Sequence, residues 1–120
     1  MAAPNLVNIQ TCTPTTTALI LTTGSQNVVS NSLASGKSYK INTILAANYT
    51  GSPATVTVNY YQNSDSIAHH LVYQLSVAAN TVLIVVDKSH PIYLQEGDII
   101  QALSGTATAI DLTVSYEVLS

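Results

Sequence analysis

The stretch "PIYLQEGDIIQALSG", residues 91–105, sets two short apolar runs on either side of an acidic, glycine-centred corner. Two readings compete for it. Either Glu96 and Asp98 are paired carboxylates ready for chemistry, or Gly97 simply lets the chain turn back. A glycosidase pair must face across a prepared cleft, and a calcium loop takes several more oxygen ligands than this segment offers. The bend needs only Gly97 in a left-handed turn, Asp98 bonding the backbone, and Ile92, Leu94, Ile99 and Leu103 packed inward. The bend is the simpler demand.

The rest of the chain repeats this design. In "SYKINTILAANY" (38–49), Tyr39, Ile41, Leu45, Ala47 and Tyr49 share one parity. "ATVTVNYYQ" (54–62) alternates Val56, Val58 and Tyr60 with polar residues, and "HLVYQLSV" (70–77) aligns Leu71, Tyr73, Leu75 and Val77. "IDLTVSYEV" (110–118) does the same with Ile110, Leu112, Val114, Tyr116 and Val118. A period of two describes strands with one face in a core. Turn clusters rich in Gly, Asn, Asp, Ser and Pro separate the runs at short intervals. Roughly eight or nine short strands with such turns predict an all-β fold, an antiparallel β-sandwich of jelly-roll or immunoglobulin-like type. Residues 1–16, with Pro4 and Pro14, suit an extended N-terminal arm or an edge strand, and 17–120 form the sandwich domain.

"TVLIVVD" (81–87) is apolar on both faces. An antiparallel strand usually shows one face to water, so Val82, Ile84 and Val86 need a cover. Either a loop of the same chain or a neighbouring subunit supplies it. Tyr39, Tyr60, Tyr73 and Tyr116 share the core parity, whereas Tyr61 and Tyr93 face out, as plain surface residues or as anchors of a protein interface.

Composition narrows the function. Of 120 residues, 47% are hydrophobic and only 8% charged, against roughly 25% charged in an ordinary domain. There is no Arg, and the net charge is −3. Nucleic-acid binding draws on many Lys and Arg, so that class is not expected. A surface so poor in charge resists self-association weakly, which points to a surface covered in the working state. Cys12 is the only cysteine, which rules out an internal disulfide. No basic-then-apolar leader opens the sequence, and the longest apolar run, Val82–Val86, is too short to span a bilayer. No membrane association is expected, and folding in a cytosol is.

No chemical constellation emerges. His69 and His70 are adjacent on a strand and point to opposite faces; His90 precedes Pro91 in a turn. A zinc site needs three or four convergent ligands, and Cys12 as a nucleophile needs a base that "QTCTP" does not show. Asn48-Tyr49-Thr50 matches the glycosylation sequon by coincidence. Catalytic, cofactor and metal sites are therefore not expected, and neither is an enzyme.

The opening "APNLVNIQT", the middle "GKSYKINTILAAN", "YLQEGD" and the ending "LTVSYEVLS" resemble, in the same order over most of the chain, small virion structural proteins of tailed bacteriophages, notably those of cyanobacterial and marine hosts. The resemblance implies an all-β module of the virion, a capsid decoration (cement) protein above all, acting as a symmetric oligomer, often a trimer, on the major capsid protein or another virion protein. Neck, tail or fibre-base proteins are the alternative, and a host-surface carbohydrate-binding module a further one. The residues expected at the interface are Leu6, Val7 and Ile9 of the arm, with Tyr61, Val82, Ile84, Val86 and Tyr93.

Overall fold

The computed structural model describes residues 9–120. Among them are nine strands and no helix: β1 (Cys12–Ile20), β2 (Gln26–Ser30), β3 (Ser38–Asn48), β4 (Ala54–Gln62), β5 (Ile67–Val77), β6 (Thr81–Val86), β7 (Ile92–Leu94), β8 (Ile99–Ser104) and β9 (Ile110–Leu119). The pairing follows one long antiparallel ribbon. Its tip is the β4–β5 hairpin; β3 then pairs β6 and β7, β2 pairs β8, and β1 pairs β9. The ribbon is rolled so that β9 also pairs β3 and β8 also pairs β4. Two sheets result, β1-β9-β3-β6 with β7 continuing the β6 edge, and β2-β8-β4-β5. This is the jelly-roll connection of a β-sandwich, which resolves the two topologies left open by the sequence.

Between the sheets, Leu21, Ile41, Ile44, Val56, Val58, Leu94, Ile100, Ile110, Leu112 and Val114 are fully buried. Each such side chain contributes about 1.5–3 kcal/mol over an exposed one.

Simple alternation fails where a strand carries a bulge. A register shift between Ile41 and Thr43 makes Asn42 the extra residue of β3. From there inward positions are Ile44, Ala46 and Asn48, so Leu45, Ala47 and Tyr49 do not join the core as the parity predicts. Two further shifts in the β4–β5 pairing, with Gln74 at φ 47°, turn Tyr73 and Leu75 to exposed positions. In β6 the shift at Ile44/Leu45 leaves Val85 unpaired and swings Val86 inward opposite Ile44. Val86 is buried by its own chain, which corrects the expectation that it shares the uncovered face. In β8 the inward set is Ile100, Ala102 and Ser104, and Ile99 and Leu103 are only half-buried. A bulge or one-residue phase error moves every later side chain to the other face.

The arm boundary falls inside an element. Residues 12–16 belong to β1, which runs on past it to Ile20 along β9. Gln10 and Thr11 already donate backbone hydrogen bonds to the Ser120 carbonyl, both at 2.9 Å.

Candidate functional site

The acidic corner is a structural knot. Gly97 has φ 90°, and a Cβ there would meet Asn63 Cγ at 2.7 Å, so only glycine fits the turn. Asp98 is 3% exposed. Its carboxylate accepts the backbone N–H of Asn63 and of Gln95, each at 3.0 Å, and the Tyr60 hydroxyl. Burial, and then the hydrogen bond to Asp98, push the Tyr60 phenol far above its ordinary range. Glu96 accepts the Gly36 N–H at 2.9 Å. Beside it, buried Asn31 donates through Nδ2 to the carbonyls of Lys37 (2.9 Å) and Leu94 (3.1 Å). At the far end of β3, buried Asn48 donates to the carbonyls of Ser52 (2.8 Å) and Val77 (3.0 Å). That amide is committed to the fold, as the coincidental reading of the sequon requires. Both carboxylates of the corner hold loops together.

The histidines stand apart. His69 lies 3.0 Å from Asp65 and His90 3.2 Å from Asp87, in two separate surface pairs. These partners hold both aspartates below the usual carboxylate range. His70 bonds Asn59 and packs against Tyr73 with ring centroids 4.6 Å apart and the rings tilted by 47°. Among the described residues no three His, Cys, Asp or Glu gather where a metal ion would sit. Cys12 is exposed. Its Sγ donates to Glu117 at 2.8 Å, and that carboxylate raises the thiol pKa, leaving less of the reactive thiolate at neutral pH.

What the molecule does present is a face. On the outside of the β1-β9-β3-β6 sheet, three cross-strand rows lie in register. They run Thr16–Ser115–Thr43, Ala18–Thr113–Leu45–Ile84 and Ile20–Asp111–Ala47–Val82. Asp111 is the one ionisable residue among them. The rows grow more apolar toward β6, where Val82 is 58% and Ile84 60% exposed. Inside that edge, Leu71, Ile84, Val85, Val86 and Ile92, with Asp87 and His90, line a groove of about 300 Å³ between β5 and β6.

The interface residues anticipated from sequence divide accordingly. Val82 and Ile84 are together and exposed on β6; Tyr93, 41% exposed, follows on β7 beside Lys40. Tyr61 is half-buried on the opposite sheet, next to Ile99 and Ala68, and joins no patch with them. Ile9 is half-buried at the start of the described chain, and Leu6 and Val7 lie outside the described residues. Leu45, Ala47 and Ile20 were missed. For Leu45 and Ala47 the signal was the adjacent polar pair Asn42-Thr43, which interrupts the alternation and marks the bulge.

No family model matches the chain and no curated protein matches it. Among solved structures, it is similar to one titled "Bacillus endospore appendages form a novel family of disulfide-linked pili". The TM-score is 0.53 and the identity 14%, over 91% of this chain and 85% of that one. At that identity the likeness is one of fold.

Proposed function

We propose that this chain is an architectural subunit of a virion, a capsid decoration protein that stabilises the assembled head and runs no reaction. The observation that carries the reading is the apolar end of the outer face, where the exposed Val82 and Ile84 of β6 lie in register with Ala47 and Leu45 of β3. The phage resemblance supports it. A protein that binds only the assembled state stabilises that state by mass action, and an oligomer touching several capsid subunits multiplies the effect. With so few charges, docking rests on apolar contact and backbone hydrogen bonds, and changes little with salt.

The likeness to an appendage subunit favours a second reading, a neck, tail or fibre-base component with the same fold. The covalent linkage named in that structure's title does not transfer. A continuous disulfide-linked polymer takes two cysteines per subunit, and this sequence has one. Quantifying the chain in purified particles separates the readings. Copies on the order of hundreds support decoration, about a dozen support the neck or tail, and absence from particles contradicts both.

A further inference from the structure

The two sheets differ in charge. In the first, β3 and β9 carry Lys40, Asp111 and Glu117. In the second, β2, β4, β5 and β8 hold no Asp, Glu, Lys or Arg at all.

Across the outer face of that second sheet runs a row of planar polar side chains in register, His70–Asn59–Gln101–Asn27, one from each strand. Neighbouring strands lie about 4.8 Å apart, so the row spans about 14 Å. His70 Nδ1 meets Asn59 Oδ1, and Gln101 Nε2 donates to Asn27 Oδ1 at 3.1 Å. Each amide therefore keeps one polar atom uncommitted. Asn59 is the telling case. It points outward yet is only 8% exposed, and among the described residues the amide atom turned away from His70 has no partner. Polar groups so deeply covered are normally bonded.

Beside the row, β5 is lifted out of regular pairing. Its two register breaks leave Gln74 at φ 47°, with the Gln74 N–H donating to Thr57 Oγ1 at 3.0 Å. A side chain at positive φ is strained, and strain of this kind gathers at ligand sites. The kink stands Tyr73 on the outer face, 61% exposed, with its ring against His70.

We propose that this face binds a neutral saccharide, Tyr73 covering the C–H face of a sugar ring while Asn59, Gln101 and Asn27 bond its hydroxyls. The chemistry of the row selects the class. A hydroxyl both donates and accepts, and the uncommitted amide atoms offer both kinds of partner. An aromatic face takes the apolar side of the same ring. A phosphate, sulfate or carboxylate would meet no Lys or Arg in these strands, and an ammonium no Asp or Glu. An extended peptide joins a sheet through backbone groups at an edge, which a face does not present. The site goes beyond the architectural reading and does not depend on it.

NMR titration of the ¹⁵N-labelled full chain tests the site. The probes are maltotriose, cellotriose, mannotriose and chitotriose, with trigalacturonate as the charged comparison. At least one neutral sugar should shift the Tyr73 amide and the side-chain NH₂ signals of Asn27, Asn59 and Gln101 saturably, with a Kd of about 0.1–10 mM. Tyr73→Ala should weaken that binding at least tenfold and Gln101→Ala several-fold, while Tyr93→Ala, on the other sheet, should leave it unchanged. Amide signals from the first sheet report that each variant is folded. No saturable shift with any neutral sugar up to about 50 mM, tighter binding of trigalacturonate, or undiminished binding by Tyr73→Ala would overturn the proposal. So would broadening of the same signals by purified particles with no response to sugar, which would assign the face to a protein partner. Sugar binding by a chain absent from particles sinks only the virion reading.

Discussion

The corner around Asp98 and the edge at β6 treat their side chains in opposite ways. At the corner the chain buries one of its few charges and surrounds it with donors: two backbone N–H groups and the Tyr60 hydroxyl. At the edge it leaves Val82 and Ile84 in water with nothing of its own over them. Folding alone would favour the reverse, since buried charge is costly unless fully bonded and exposed aliphatic surface forgoes its burial energy. The difference teaches where each region is finished. The corner is complete within one chain; the edge leaves its aliphatic side chains uncovered.

Substitutions should expose that difference, beginning at the corner. Asp98→Ala removes the buried acceptor of three hydrogen bonds, and should lower unfolding free energy by about 3–5 kcal/mol in urea titration. Gly97→Ala forces an alanine to positive φ against Asn63, for a loss of about 1–3 kcal/mol in the same experiment. Tyr60→Phe removes one bond to the carboxylate, for about 1.5–3 kcal/mol at most. Ile84→Lys should change the stability of the dilute monomer by less than about 0.5 kcal/mol. If the edge substitution costs as much as the corner ones, β6 is finished within the chain and the contrast fails.

Acid should produce the smallest effect. Asp65, Asp87 and Glu117 are held below their ordinary pKa by His69, by His90, and by Cys12 with Asn42, respectively. A lowered folded pKa gives stability that is present above the unfolded value and lost as pH falls through the folded one. Melting temperature should therefore hold at neutral pH and decline only slightly, below about pH 4, where carboxylates ordinarily titrate. Asp65 and Asp87 are exposed and Glu117 is only half-buried, so a steep loss near pH 6 would point to something else. Glu117→Gln should speed the reaction of Cys12 with a disulfide reagent several-fold at pH 7.5, because the carboxylate that raises the thiol pKa is gone.

The fold was legible because most strands keep the period of two, and because Gly97 and Asp98 carry their turn chemistry locally. Val56, Val58, Ile110, Leu112 and Val114 are all buried as their alternation requires. What escaped was phase. Asn42, Val85 and the kink at Gln74 each shift the register, and a shift is set by the partner strand as much as by the bulged one. So Leu45 and Ala47 moved outward, Val86 moved inward, and Tyr73 left the core. The outer face was hidden for the same reason: its rows draw on four strands distant in sequence, and only the pairing aligns them.

Hydrogen exchange across a concentration series puts the two regions side by side in one sample. The Asn63 and Gln95 amides, bonded to Asp98, should be equally protected at every concentration. Amides of Thr81–Val86 that face away from β3 should exchange freely when dilute and gain at least tenfold protection as the chain self-associates with rising concentration. Protection at β6 that never varies with concentration would contradict the reading that this surface is covered in the working state.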